Sequence, residues 1–385
     1  MAMSYQHVSP ELRVFHGSEA LAALKRELER TGCRRVVVVC GRTIGRSAEM
    51  QALREALGDA WAGLSPSARE HSPVSGVEEA VQVLEEAQAD AILAVGGGSA
   101  AVTARAAAIL AAEKRPLAQL CTRRLPDGRF ESPRLNAPKL PIFSIPTTPS
   151  TAFAKGGTAV HAADGQRLAM FDPRTRARAI VIDPAFVRTA PADLVRSAAL
   201  NALANAVEAL ESPQCDPFSE ASLMQSLRLI AQGLGPDAAD DDATRERLVV
   251  AAILCGRGTE QGGTGLASVL AHAIGKRVHA ANGIVNAIVL PHTMRFNAPV
   301  TQARAAALQD ALAGAPGAAP GALASERVAA WLQTLPVPRT LREIGVSRSD
   351  LLPIAEAAMS DWFIRRNARQ VQDVATLMGV LESAW

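Results

Sequence analysis

Four short runs constrain the fold of this chain more than anything else in it. "RRVVVVC" (34–40), "AILAVGGGS" (91–99), "PIFSIPTT" (141–148) and "RAIVID" (178–183) are apolar at consecutive positions rather than alternate ones. A strand wetted on one face alternates apolar with polar residues. A strand that is apolar throughout needs cover on both faces, and helices packed on either side of a mostly parallel sheet provide it. Between the runs lie stretches of helical periodicity such as "SEALAALKRELERTG" (18–32), with Ser18 the expected N-cap and Gly32 the expected stop. Strand and helix in alternation predict an α/β domain.

From about Thr189 onward β-branched runs thin out and Ala, Leu, Glu and Arg dominate, which predicts a helical second half. The fold class is therefore α/β plus all-α, with domains at 1–188 and 189–385 joined near "VIDPAFVRTAPADL". A chain of 385 residues exceeds what one core usually supports, in keeping with two domains. "AGAPGAAPGALAS" (313–325) reads as a surface loop between helices, because helical periodicity resumes on both sides.

Charge narrows the partners. Lys and Arg number 40 against 38 Asp and Glu, a formal net charge of +2, so neither nucleic acid nor an anionic membrane is the expected partner, and a small molecule is. The five cysteines, Cys33, Cys40, Cys121, Cys215 and Cys255, form no CxxC and no even framework, which predicts free thiols in a reducing cytoplasm. The N-terminal "MAMSYQHVSPELRVF" has no basic stretch leading into an apolar one, and no later segment is long and apolar enough to span a bilayer, so the expectation is a cytoplasmic protein.

The strongest local motif is "AILAVGGGSAAVTARAAAIL", a strand, a glycine triplet and a helix. Gly96, Gly97 and Gly98 allow a ligand to approach the backbone, Ser99 is positioned to cap the helix, and the free N–H groups of its first turn suit a pyrophosphate. A tight turn with no ligand explains the triplet about equally well. "PTTPSTAF" (146–153) follows another strand and gathers Thr147, Thr148 and Ser150 as hydroxyl donors to a nucleotide or substrate, although alone it is a loop signal. After the first of the four runs, Gly41 and Arg42 stand where a dinucleotide fold tests the adenosine ribose. An acidic residue there would repel a 2′-phosphate, and glycine with arginine does not, so the lean is to NADPH over NADH. The plain alternative for Arg42 is a solvated loop charge.

In the helical half, "LNALANAVEAL" (200–210) sets Asn201 and Asn205 one turn apart on the same helix face. "GLASVLAHAIGKRVHAANGIVNAIVLPHTMRFN" (265–297) contributes His272, His279 and His292 with Asn282, in a helix–loop–helix pattern. Histidine spacings of seven and thirteen are not a recurrent metal-ligand set, and no carboxylate lies within the segment.

Taken in order, "AVGGGS", "IPTT", "VIDPAFVRTAPADL", "NALANAVEAL", "LAHAIG" and "NAIVLPHTMRFN" resemble the iron-containing alcohol dehydrogenase family over nearly the whole chain. Within it, "LNALANAVEAL", "GLASVLAH" and "NARQV" (367–371) are similar to segments of the maleylacetate reductase branch. The resemblance implies a Rossmann-like dinucleotide-binding domain followed by a helical domain, the fold shared with dehydroquinate synthase-like proteins. It also implies hydride transfer in the cleft between the two, and a homodimer formed through the edge of the N-terminal sheet, where "LRVFHG" would be a strand.

The departures from the family matter as much. Its metal-dependent members use one Asp and three His, and the matching positions here are Asn201, Asn205, Ser268 and Asn282. Neutral amides and a hydroxyl bind Fe²⁺ or Zn²⁺ weakly, so no catalytic metal is expected. Val102 replaces the aspartate of the family's "GGGSxxD", and "STAFAKG" rebuilds another segment with Phe153 and Lys155. The expectation is a metal-independent NAD(P)H-dependent reductase of a keto acid or aldehyde. In it Asn201 and Asn205 form an oxyanion hole, His272 or secondly His279 delivers the proton, and Lys155 binds a carboxylate or acts as the acid. The rival readings are an isomerase, lyase or cyclase on the same scaffold, and a non-catalytic binding protein.

Overall fold

The computed structural model describes residues 4–125, 127, 129–235, 238–317 and 322–385. It comprises two compact units, one running Ser9–Ala190 and the other joining the N-terminal segment up to Val8 with Pro191–Trp385.

The first unit is built on a six-stranded parallel sheet. In chain order its strands are β1 (Arg13–His16), β2 (Val36–Cys40), β3 (Trp61–Ser65), β4 (Ala91–Gly96), β7 (Ile142–Pro146) and β10 (Ala177–Ile182), arranged β1-β10-β7-β4-β2-β3. Two antiparallel pairs stand apart from it, β5 (Arg123–Arg124) with β6 (Phe130–Glu131) and β8 (Gly157–His161) with β9 (Arg167–Phe171). The helices are α1 (Ala20–Thr31), α2 (Ala48–Leu57), α3 (Val74–Glu86), α4 (Gly98–Glu113) and α5 (Pro184–Arg188). Every residue of β2 and β4 is buried. Val36, Val38 and Cys40 pack with α1 and α2 on one face, and Val37 and Val39 pack with α3 and α4 on the other. This double burial is what the consecutive apolar runs required. Gly32 ends α1 at φ 73°, as expected, but Ser18 does not cap it. The N-cap is Glu19, because Gly17 turns the chain at φ 102° and its carbonyl accepts from Ala20 N–H at 3.0 Å, starting the helix without a side-chain cap.

The second unit is helical: α6 (Ala192–Glu211), α7 (Pro217–Gly233), α8 (Asp242–Gly262), α9 (Leu266–Val278), α10 (Asn282–Thr301), α11 (Ala305–Ala311), α12 (Ala324–Gln333), α13 (Leu351–Met359) and α14 (Val374–Ala384). Small residues set its packing. A Cβ added at Gly283 of α10 would overlap the carbonyl of Ser197 on α6, so the two helices touch backbone to backbone there. The N-terminal segment belongs with this unit, whereas the sequence expectation placed it with the sheet. His7 Nδ1 lies 3.0 Å from Asp216 Oδ2, and its ring stacks on Phe218 with centroids 4.8 Å apart. Of the expected loop 313–325, residues 318–321 lie outside the described residues, 313–317 and 322–323 lie between α11 and α12, and Ala324 and Ser325 already open α12. All five cysteines are free and buried. Among the described residues no helix is long and apolar enough to cross a membrane.

Candidate active site

Because the six strands are parallel, their carboxyl ends share one edge, and the chain leaves β2 and β4 in opposite lateral directions, toward β3 and toward β7. Such a reversal leaves a crevice at the carboxyl ends of the strands where ligands bind. Gly41 and Arg42 follow β2, Gly97 and Gly98 follow β4, and Thr147 and Thr148 follow β7, so three sequence-predicted segments meet at this edge. Gly96 adopts φ 138° and Thr147 N–H donates to its carbonyl at 2.7 Å. A Cβ on Gly97 would stand 3.0 Å from Thr148 Oγ1, and one on Gly98 would stand 2.6 Å from Ser150 Oγ. The glycines thus let the start of α4 pack directly against Thr148 and Ser150, where any side chain would collide. Ser99 is not the cap of the following helix. The positive φ at Gly96 turns the chain early, the N-cap is Gly97 with no side-chain cap, and Ser99 lies within the first turn. The first-turn N–H groups of a sixteen-residue helix therefore face this edge without a side-chain acceptor, as binding a phosphate requires. Arg42 is exposed there.

The hydroxyl-rich loop beyond β7 is held from behind. Ser150 Oγ accepts from Ala152 N–H at 3.3 Å to start the short helical turn Thr151–Ala154, in which Phe153 is buried. Arg105 of α4, itself buried, donates to the carbonyls of Ala152 at 2.5 Å and Gly157 at 2.6 Å. Lys155 follows in extended conformation at partial exposure. Val102 is partly buried in the apolar layer between sheet and helices, and its carbonyl accepts from Thr158 Oγ1 at 3.1 Å.

In the helical unit one face of α6 carries Asn201, Asn205 and Glu208, each about one turn from the next. Asn201 Oδ1 accepts from Asn286 Nδ2 of α10 at 3.0 Å, which leaves the Asn201 NH₂ as its outward donor. Asn205 turns its own NH₂ back to the Asn201 carbonyl at 2.8 Å. The two amides are thus held differently, Asn201 through its oxygen by a neighbouring helix and Asn205 through one N–H on its own helix. Glu208 is buried, and its two oxygens accept from Ser268 N–H at 3.0 Å and Ser268 Oγ at 2.6 Å. Burial raises its carboxyl, while the hydrogen bonds from Ser268 and from the Gly265 and Ala267 backbone act in the opposite direction. Asn367 Oδ1 accepts from Leu266 N–H at 3.0 Å, so α9, whose N-cap is Gly265, is capped from outside by two distant side chains.

The four positions equated with metal ligands do not fit a divalent cation. Asn201 and Asn205 make the bonds just described, Ser268 gives its hydroxyl to Glu208, and Asn282 is exposed at the start of α10. None of the four supplies a carboxylate or imidazole.

The histidines separate. His272 Nδ1 lies 3.0 Å from Asp361 Oδ2. His279 is exposed in the left-handed conformation that ends α9, at φ 53°. His292 Nδ1 contacts Ser383 Oγ of α14 at 2.7 Å, and burial first, then the nearby Arg295 charge, lowers it to about 4. His292 therefore stays neutral at physiological pH. Sequence reasoning missed Glu208, Asn286, Arg105 and Asp361. Only Glu208 had a signal, three residues after Asn205 on the same helix face.

Comparison with known proteins gives this geometry a context. Residues 10–184 match the iron-containing alcohol dehydrogenase family, and residues 196–385 match the C-terminal part of the same family. The chain is similar to lactaldehyde reductase of Escherichia coli K12, at 28% identity over 96% of this chain and 97% of that protein. It is equally similar to maleylacetate reductase 2 of Cupriavidus pinatubonensis, at 28% identity over 95% and 93%. The crystal structure of maleylacetate reductase from Agrobacterium tumefaciens superposes with a TM-score of 0.82 at 22% identity, covering 100% of this chain and 98% of that one. With both halves matched in order, the chain belongs to the iron-containing alcohol dehydrogenase family, a family of NAD(P)-dependent oxidoreductases.

Proposed function

We propose that this protein is a metal-independent reductase of a keto acid or aldehyde that draws its hydride from a reduced nicotinamide dinucleotide, with NADPH preferred. The observation that carries the reading is the chemistry of the four metal-ligand positions, none of which offers a carboxylate or imidazole, with Asn201, Asn205 and Ser268 already hydrogen-bonded within the helical unit. The dinucleotide, when bound, supplies the hydride. Gly96, Gly97 and Gly98 admit its pyrophosphate to the N-terminus of α4, where backbone N–H groups and the helix dipole neutralise phosphate charge. Ser99, Thr147, Thr148 and Ser150 supply hydroxyl and backbone contacts around it. Gly41 leaves space for an adenosine 2′-phosphate and Arg42 offers it a cation, which supports NADPH.

On the carbonyl side, the Asn201 NH₂ donates to the oxygen as negative charge grows on it. One preorganised donor of this kind contributes about 3 kcal/mol, part of what a Lewis-acid metal would give. His272 delivers the proton, and exposed His279 is the secondary choice. Lys155 supplies the cation for a substrate carboxylate. The same reading places the enzyme in the cytoplasm as a homodimer joined along β1, the edge strand of the sheet.

The test is consumption of reduced nicotinamide by chelator-treated protein across a panel of keto acids and aldehydes. Turnover that Fe²⁺ or Zn²⁺ does not increase is expected, with Asn201→Ala and His272→Ala each lowering kcat by about a hundredfold or more. Turnover that appears only on adding metal would overturn the reading.

A further inference from the structure

We propose that Asp361 is the positioning residue that fixes His272 in the tautomer with its proton on Nδ1, so that Nε2 is the nitrogen that exchanges a proton with substrate. This rests on the reductase reading for the role of His272, but the pairing itself stands on geometry. Asp361 is 89 residues from His272 in sequence, and its Oδ2 lies 3.0 Å from Nδ1. Its other oxygen is committed as well, since Oδ1 accepts from Phe363 N–H at 2.9 Å at the start of the turn Trp362–Arg366. With one oxygen anchored to the backbone, the other cannot swing away from the ring. Both side chains are largely shielded, at 25% exposure for His272 and 13% for Asp361, so water competes poorly for the contact. The Phe363 ring lies close to the imidazole, with centroids 6.2 Å apart.

A carboxylate only accepts hydrogen bonds, so the nitrogen facing it must carry hydrogen. In the neutral ring this leaves Nε2 as the basic atom, as in carboxylate–imidazole pairs generally. During reduction the carbonyl gains a hydride at carbon and a proton at oxygen. The proton comes from Nε2 of the His272 imidazolium, and the ring is left neutral with its remaining proton on Nδ1, still facing Asp361. Water then restores the proton on Nε2.

The arrangement makes Asp361→Asn a sharper test than truncation. Phe363 N–H still requires an acceptor, so the new amide keeps its oxygen there and turns its NH₂ toward His272 Nδ1. An NH₂ group at that place is satisfied only by an unprotonated Nδ1, which drives the proton of the neutral ring to Nε2. Asp361→Ala imposes neither tautomer. A residue that merely caps the turn Trp362–Arg366 would rank the variants the other way, because Asn is a good cap and Ala a poor one.

The experiment measures kcat and KM for wild type, Asp361→Asn and Asp361→Ala, together with long-range nitrogen–proton NMR of protein labelled with ¹⁵N-histidine. The expected result is His272 with its proton on Nδ1 in the wild type and on Nε2 in Asp361→Asn. With it, kcat should fall by about a hundredfold or more in Asp361→Asn, at near-constant KM, and less in Asp361→Ala. A wild-type ring with its proton on Nε2, or an Asp361→Asn variant as active as wild type while Asp361→Ala is impaired, would overturn the proposal. The NMR needs no substrate. The expected tautomers without carbonyl turnover would therefore count against the reductase reading, not against the pairing.

Discussion

Asn201 and Asn205 carry the same side chain one helical turn apart, and their partners give them different uses. Asn286 holds the Asn201 oxygen and so turns its NH₂ outward, while Asn205 spends its NH₂ on the Asn201 carbonyl. Sequence spacing puts both on one face, but the orientation of each amide depends on a neighbour on another helix or on the backbone itself. The same holds for His272, whose partner Asp361 no local pattern connects to it. Another buried carboxyl makes a prediction at this scale. Burial first, and the neighbouring Glu208 charge with it, raise Glu211 from 4.5 to about 8, against a hydrogen bond from Asn297 Nδ2 at 2.7 Å. Below pH 4.5 both folded and unfolded chains hold the proton, and between 4.5 and about 8 only the folded one does. Unfolding then releases a proton, so this group's contribution to stability falls as pH rises through that window. Glu211→Gln keeps an oxygen for Asn297 and removes the charge. Denaturant melts should show the variant more stable than wild type at pH 8, by on the order of 1 kcal/mol or more. The gap should narrow toward pH 5, and a gap independent of pH would contradict this account of Glu211.

At the scale of elements, consecutive apolar runs announced the central strands, and the stripes between them announced α1 and the helices of the second half. Helix ends were harder to read. Ser18 and Ser99 have the chemistry of caps, but positive φ at Gly17 and Gly96 turns the chain at those glycines and the hydroxyls play no part in starting the helices. The start of α9 was not legible at all, because its caps come from Glu208 and Asn367, on other segments. The approach of α10 to α6 was equally hidden, since nothing in "ANGIV" says that Gly283 meets the Ser197 carbonyl. Gly283→Ala should destabilise the fold by about 1–3 kcal/mol, the usual range for overpacking, because the obstacle is backbone and cannot rotate away. A denaturant midpoint unchanged from wild type would show that the two helices can separate at little cost.

For the whole molecule, the family was legible because six motifs fall in one order along the chain, where any one of them alone is a loop or a helix. The expected departures at Asn201, Asn205, Ser268 and Asn282 were read from that order alone. Substrate choice was not, because the segment with Phe153 and Lys155 leaves the family pattern and no motif there speaks for a substrate. The central claim is a nicotinamide site that works without a metal, and the most direct test is a fluorescence titration of chelator-treated protein with NADPH and with NADH. Saturable binding, tighter for NADPH and unchanged by added Fe²⁺ or Zn²⁺, is the predicted result. No binding of either nucleotide, or binding that appears only when metal is restored, would contradict it.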